Sequence, residues 1–275
     1  MALSPRRRRR WLLYVLLFLA FEGAMMIGGC ADRLLLFPTR VPIKVPGVDH
    51  LSVAGPVGSI DVCTVSRDNP QAFVLHFVGN ASRGEYEAQI VAAEWETQPV
   101  EIWTVNYPGY GPSEGSARLK SIGPAALAVY DELARRAAGR PIFLSGRSLG
   151  TTAALHIAAN RPCAGLVLQN PPPLQRMILQ KFGWWNLWLV AGPVALAVPV
   201  DLNSLRNAPL VKAPAVFLMA ANDTIVPPPY QQMVVNAYGG PKRIVTVPNA
   251  DHNDGLDPQS IAALRDGIAW LNPPR

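Results

Sequence analysis

Two serines in this chain sit in the pattern Gly-x-Ser-x-Gly, a spacing that lets a serine stand at a tight backbone turn without flanking side chains to crowd it. A serine hydroxyl is a weak nucleophile at neutral pH. It needs a base beside it, and a carboxylate to orient that base. The first copy, Gly111-Pro112-Ser113-Glu114-Gly115, lies several residues beyond the nearest apolar run, and no helical pattern opens after it. The second, Gly146-Arg147-Ser148-Leu149-Gly150, is entered straight from the apolar run Pro141–Leu144 and leads into the helix-like TTAALHIAA. Only the second has a strand before it and a helix after it. Ser148 is therefore the expected nucleophile, and Ser113 a loop residue.

The acid and the base are sought downstream, in that order. Asp223 follows the apolar run PAVFLMA, and His252 follows RIVTV, so each is expected on a loop leaving the end of a strand. The chain has only four histidines; His156, the other one after Ser148, falls inside the helical stretch and reads as packing. Asp251 and Asp254 are alternative partners for His252. Asp251 is its immediate neighbour, a poor geometry for a carboxylate behind the imidazole, and Asp223 is preferred. No set of side chains has metal-ligand spacing, and no cofactor is implied.

The elements that must position these residues alternate. Two short alternating runs, around His50–Val53 and Ser59–Val65, read as antiparallel edge strands joined by a Gly/Pro turn. Continuous apolar runs then mark buried strands at Ala72–Phe77, Val100–Val105, Ile142–Leu144, Gly165–Leu168, Ala215–Met219 and Arg243–Val247. Helical stretches separate them near Gly84–Glu96, Ala125–Ala138, Leu149–Asn160 and Pro229–Ala237, and one closes the chain at Pro258–Leu271, opened by Asp257-Pro258. The expected class is α/β, with a mostly parallel central sheet flanked by helices. Asn170 to Pro214 is long for a strand connection and carries Phe182, Trp184, Trp185 and Trp188; it is expected to be a lid or cap.

At 275 residues, 49% hydrophobic and 16% charged, the chain has the composition of one folded domain and not of a disordered one. Its net charge of +6 is misleading, because Arg6–Arg10 supply five of the charges and the remainder is close to neutral. No basic stripe with interleaved aromatics suggests nucleic acid. The arginine run, the apolar Trp11–Phe21 and the small-residue end Ile27-Gly28-Gly29-Cys30 form a three-part export leader over residues 1–29, with the domain at 30–275. Ile-Gly-Gly-Cys resembles the bacterial lipobox, in which Cys30 becomes the lipidated first residue. An uncleaved anchor, interrupted by Glu22, and a cleaved soluble product are the other two readings. All three export the domain, and the first two hold it at the cell envelope facing the periplasm. Cys63 and Cys163 read as two buried thiols in strands, and a disulfide between them stays open.

Several separate segments resemble the α/β-hydrolases, and within them the membrane-anchored branch of abhydrolase-domain proteins. They are Phe77–Ser82 (FVGNAS), Asn106–Gly115 (NYPGYGPSEG), Gly146–Thr151 (GRSLGT), Asn222–Pro227 (NDTIVP) and Ala250–Asp254 (ADHND). The resemblance runs from about Leu34 to the C-terminus. It implies the α/β-hydrolase fold, a triad of Ser148, Asp223 and His252, and an oxyanion hole built from the backbone N–H groups of Leu149 and Asn80. Val78 departs from the pattern, since histidine is usual there, while Gly79 is kept and is expected to permit close backbone approach. The implied activity is hydrolysis of a carboxylic ester or thioester, with an apolar acyl or lipid substrate suggested by the tryptophan-rich insert. A peptidase or amidase on the same fold, and a membrane-tethered binding protein without catalysis, are the alternatives.

Overall fold

The apolar runs become eight strands of one sheet. In a computed structural model of the chain, residues 5–27, 29–184 and 189–272 are described, without the side chains of Pro5, Glu22, Cys30 and residues 24–27. The strands are β1 (Asp49–Gly55), β2 (Gly58–Val65), β3 (Ala72–Phe77), β4 (Val100–Val105), β5 (Ile142–Arg147), β6 (Gly165–Gln169), β7 (Ala215–Ala220) and β8 (Lys242–Val247). Across the sheet they run β1-β2-β4-β3-β5-β6-β7-β8. The first two pairings are antiparallel and the other five parallel. Two expectations are corrected. β2 is no edge strand, because it pairs with both β1 and β4 and buries Val62 and Cys63. β8 is no buried strand: it pairs only with β7, and Lys242 to Thr246 are largely open to solvent.

The helices are α1 (Pro5–Ile27), α2 (Cys30–Leu35), α3 (Gly84–Glu94), α4 (Leu119–Ala137), α5 (Leu149–Asn160), α6 (Leu174–Phe182), α7 (Ala191–Leu196), α8 (Ser204–Asn207), α9 (Pro228–Ala237) and α10 (Pro258–Leu271). Period-two alternation divides the strand residues between two apolar layers. Phe73, Leu75 and Phe77 of β3 face α4 and α5, among Val129, Leu133 and Leu155. Val74 faces the other way, with Val91 of α3 and Leu264 and Ile268 of α10. Helix α4 starts six residues before the expected Ala125 and carries Pro124 within it. Asp32 Oδ1 accepts from the Leu119 N–H at 2.7 Å, occupying one of the donors a helix start leaves free. Asp257 caps α10 as expected, accepting from the Ser260 N–H at 2.9 Å.

The side chains of α1 from Trp11 to Phe21 that are large and apolar are exposed almost without exception. Among the described residues, no helix is long and apolar enough to cross a membrane. The Glu22 and Cys30 side chains, which the leader readings invoke, lie outside the described residues, as do Trp185 and Trp188 of the insert. The segment after α2 is more than a proline-spaced linker. Leu36 is buried, and the Thr39 and Val41 carbonyls accept from Arg83 at 3.2 and 2.9 Å.

Candidate active site

β5 runs into α5 through Ser148, whose φ of 50° and ψ of −119° lie outside the ordinary regions for a residue with a side chain. Such strain persists only where the surroundings fix it. Here the Ser148 N–H donates to the Gln169 carbonyl at 2.8 Å, and the two glycines let the backbone close. A Cβ on Gly146 would stand 2.6 Å from the Gly150 carbonyl, and one on Gly150 would stand 1.9 Å from the Phe77 oxygen. Close backbone approach is thus made at Gly150. It is not made at Gly79, where a Cβ would meet nothing nearer than the Arg147 oxygen at 3.6 Å.

The structure brings Ser148, His252 and Asp223 into one chain of hydrogen bonds. His252 Nε2 lies 2.9 Å from Ser148 Oγ, and His252 Nδ1 lies 2.7 Å from Asp223 Oδ2. A carboxylate only accepts, so Nδ1 carries the proton and Nε2 is left to accept from the serine hydroxyl. Asp223 leaves the end of β7 and is buried. Its Oδ1 accepts from the Ile225 and Val226 N–H groups at 2.9 and 2.7 Å, and Gln231 Nε2 reaches Oδ2 at 2.9 Å. Asp251 does something else: it accepts from the N–H groups of His252 and Thr224 at 2.7 and 2.8 Å and shapes the histidine loop. Asp254 accepts from the Asp251 N–H at 2.8 Å. Ser113 is a buried loop serine, donating to the Asn106 carbonyl at 2.7 Å, and His156 lies in α5 beside Asn160.

Two supports went unnoticed in the sequence. Asn170, with a left-handed φ of 49°, donates to the His252 carbonyl at 3.2 Å and accepts from the Ala220 N–H at 2.9 Å. It ties the end of β6 to β7 and to the histidine loop. Gln231 is the other. The available signal was position alone: Asn170 directly follows β6, and Gln231 lies in the first turn of α9, eight residues after Asp223.

Asn80 and Leu149 both line the cavity in front of Ser148, and among the described residues neither backbone N–H donates a hydrogen bond. The Asn80 side chain is clamped: Oδ1 accepts from Phe37 N–H at 3.1 Å and Tyr110 hydroxyl at 3.0 Å, and Nδ2 donates to the Leu35 carbonyl at 2.7 Å. Val78 is fully buried in the core, and its carbonyl accepts from the Tyr107 hydroxyl at 2.9 Å. Burial pushes the Tyr107 phenol well up, which keeps that proton in place.

A buried polar chain lies behind this loop. Alternation on β3 turns His76 toward α3, where it meets Glu87. His76 Nε2 is 2.6 Å from Glu87 Oε2, His76 Nδ1 is 2.9 Å from Ser145 Oγ, and Glu87 Oε1 accepts from the Gly79 N–H at 3.2 Å. Burial opposes ionisation of Glu87, yet the hydrogen bond from His76, with the charge of Arg147 nearby, holds its carboxyl at about 2. That lies below the ordinary value of 4.5, so its stabilisation is complete above that pH and is lost as pH falls toward 2. The midpoint of thermal unfolding should therefore fall more steeply between pH 5 and pH 2 in the wild type than in Glu87→Gln, by the equivalent of about 3 kcal/mol. Parallel curves would count against this assignment.

The cavity measures about 600 Å³. Its apolar wall comes from Leu34, Leu35 and Phe37 on one side and from Leu174, Met177 and Ile225 on the other. The insert contributes through α6, where Lys181 donates to the Thr224 and Ile225 carbonyls at 2.8 and 3.2 Å. Away from the cavity, folding gathers His50, Asp61, Cys63 and Glu85, with ligand atoms within 4.8 Å of one another, a set that spacing did not reveal. Asn106 Nδ2 closes this group, 2.7 Å from Asp61 and 3.1 Å from Glu85, and Arg83 pairs with Glu85. Cys63 and Cys163 are both free thiols, and Cys163 sits in the loop before β6 and not in a strand. Burial, then the charges of Asp61 and Glu85, push the Cys63 thiol up.

A sheet of this order, with a strained serine between strand and helix, invites comparison with known proteins. A serine hydrolase of the α/β type from Xanthomonas campestris, described as being without a lid, superposes with a TM-score of 0.62 at 17% identity, over 85% of this chain and 99% of that one. The chain has the α/β-hydrolase fold. An uncharacterized protein of Mycobacterium tuberculosis is 26% identical to it over 270 residues, 92% of this chain and 91% of that one. The lysophosphatidylserine lipase of Danio rerio is 25% identical over 173 residues, 56% of this chain but only 44% of the lipase. No family model matches the chain. Within the α/β-hydrolase fold, β5, β7 and β8 deliver Ser148, Asp223 and His252 to the same end of the sheet.

Proposed function

We propose that this protein is a serine hydrolase that cleaves a carboxylic ester or thioester of an apolar acyl group through an acyl-enzyme. The observation carrying the proposal is the bond chain Ser148–His252–Asp223, whose serine and histidine line a cavity shared with Asn80 and Leu149, two residues whose backbone N–H groups donate no hydrogen bond among the described residues. Ser148 Oγ attacks the carbonyl carbon as its proton passes to His252 Nε2. Charge on the carbonyl oxygen is met by the N–H groups of Leu149 and Asn80, each donor worth about 3 kcal/mol in such a site. His252 then gives its proton to the departing alcohol or thiol, takes one from the water that attacks the acyl carbon, and returns it to Ser148 Oγ as the acyl–oxygen bond breaks and the acid leaves. Asp223 holds the imidazole and balances its charge. The relation to a lipase supports the ester class.

Residues 170–214 act as the lid over this cavity, with residues 1–29 as the export leader and the remainder as the catalytic domain. A lipid on Cys30 would sit five helical residues from Leu35, about 7 Å at 1.5 Å per residue. The cavity wall formed by Leu34, Leu35 and Phe37 would then lie at the surface of the envelope membrane, open to acyl chains held there. Burying each further methylene is worth about 0.8 kcal/mol, roughly a fourfold gain. Across p-nitrophenyl esters of increasing length, kcat/KM should rise by that factor per methylene until the cavity fills. A fluorophosphonate probe should label Ser148. Absence of labelling would favour a binding protein, and aminoacyl amides outcompeting esters would favour a peptidase.

A further inference from the structure

Val78 removes from the oxyanion loop the histidine usual at that point, yet the loop is not left loose. Two buried groups hold its backbone, and the half-buried Asn80 side chain anchors it further. The Tyr107 hydroxyl donates to the Val78 carbonyl at 2.9 Å, the Gly79 N–H donates to Glu87 Oε1 at 3.2 Å, and the Asn80 side chain is pinned from three directions. Of these, only Glu87 both touches the loop backbone and belongs to a longer buried array. Its second oxygen meets His76, and His76 meets Ser145 on β5, three residues before Ser148. His76 and Ser145 are register partners across β3 and β5. One polar chain thus spans from the strand that carries the nucleophile to the loop that carries the Asn80 N–H.

Ser145, His76 and Glu87 repeat the serine–histidine–carboxylate order of the candidate triad, but they cannot share its task. All three are buried, and Ser145 has no place among the residues lining the cavity. Because the Glu87 carboxylate can only accept, His76 donates from Nε2 and its Nδ1 accepts from the Ser145 hydroxyl. The array has donors and acceptors matched at every contact, the condition under which a buried polar network fixes one arrangement.

We infer that Glu87 is a positioning residue for the oxyanion hole, setting the Asn80 N–H through Gly79 in register with Ser148 and doing the work that the missing histidine at Val78 leaves undone. This rests on the hydrolase reading above. The loop geometry matters because a donor must stand within hydrogen-bond reach of the developing oxyanion, and loss of one such donor costs about a hundredfold to a thousandfold in kcat. Glu87 acts one residue away from that donor, so its effect falls at the lower end of that range. The requirement is for an acceptor at Oε1, not for a charge. A glutamine keeps that acceptor, and its amide nitrogen can donate to His76 once the imidazole proton moves to the Ser145 side.

The experiment compares Glu87→Gln, Glu87→Asp and Glu87→Ala with the wild type on a soluble short-chain ester. Each is also titrated with a trifluoromethyl ketone, whose serine adduct places an oxygen in the hole. Glu87→Ala should lose about a hundredfold in kcat with KM within about twofold, and should bind the ketone weaker in proportion. Glu87→Asp, one methylene short, should show the same split to a smaller degree. Glu87→Gln should fold and keep kcat within about threefold of wild type. A folded Glu87→Ala with wild-type kcat and ketone affinity overturns the proposal, as does a folded Glu87→Gln that loses as much as Glu87→Ala. Should the alanine and aspartate variants not fold, the glutamine variant decides by itself. A wild type with no Ser148-dependent turnover defeats the hydrolase reading, whereas an active wild type matched by its alanine variant defeats only the role of Glu87.

Discussion

Ser148→Ala is expected to lower kcat on a p-nitrophenyl ester by about a millionfold, to the level that backbone donors and binding alone sustain. In the proposed mechanism the bond forms between Ser148 Oγ and the carbonyl carbon, and among the described residues no other hydroxyl is hydrogen-bonded to His252 Nε2. Ser113, the other serine in the same pattern, is committed to the Asn106 carbonyl and to the Asp61 N–H at 2.8 Å, so it cannot substitute. What survives is the proposed oxyanion hole: the Leu149 and Asn80 N–H groups are untouched by the substitution, which should leave about a thousandfold over water. The variant should fold as the wild type does and lose fluorophosphonate labelling entirely. Activity or labelling that persists at the wild-type level would remove Ser148 from the mechanism.

Gly150→Ala should also be damaging, by a different route. The added Cβ would lie 1.9 Å from the Phe77 oxygen and 2.7 Å from the Val78 oxygen, both backbone atoms at the end of β3. Backbone cannot swing aside as a flexible side chain can. Either α5 lifts from the sheet, moving the Leu149 N–H, or β3 shifts, moving the oxyanion loop. Overpacking of this kind costs about 3 kcal/mol, which in a domain of this size lowers the unfolding midpoint by roughly 6–12 °C. Labelling by the probe should slow at least a hundredfold, since one donor is displaced in either case. Gly79→Ala is the control, with no atom nearer than 3.6 Å to its Cβ, and its unfolding midpoint should change little. Equal behaviour of the two variants would mean that α5 and β3 are not in contact as described.

The sequence was most legible where a signal is local. Continuous apolar runs located the strands to within a few residues, because burial on both faces leaves no polar side to confuse the reading. It placed β8 to within one residue but expected it buried, because an apolar run does not say whether a further strand will pair with it. It started α4 six residues too late, after Pro124, although the helix tolerates that proline near its beginning. Ser148, Asp223 and His252 could be nominated from what lies on either side of each. Their supports could not. Asn170 reaches the His252 loop across 82 residues, and Ser145 meets His76 across 69. Such pairings exist only after the sheet order is set, and no spacing in the chain encodes that order. Val78 could be seen as a gap in a familiar pattern, but the contacts of Glu87 with His76 and Gly79 required α3 to be laid against β3.

The contacts between the entry segment and Asn80 bear on where the working unit of this protein begins. The sheet starts at Asp49, and by the ordinary rule for delimiting a domain the chain before it is dispensable. Yet the Leu35 carbonyl and the Phe37 N–H grip the Asn80 side chain, and Leu34, Leu35 and Phe37 form one wall of the cavity. A version cut at the first strand would retain every residue of the sheet and still present a pocket lacking one side. The frontier of the fold and the frontier of the site therefore do not coincide. The stretch that a trimming exercise would discard first is the one that joins α1 to the cavity.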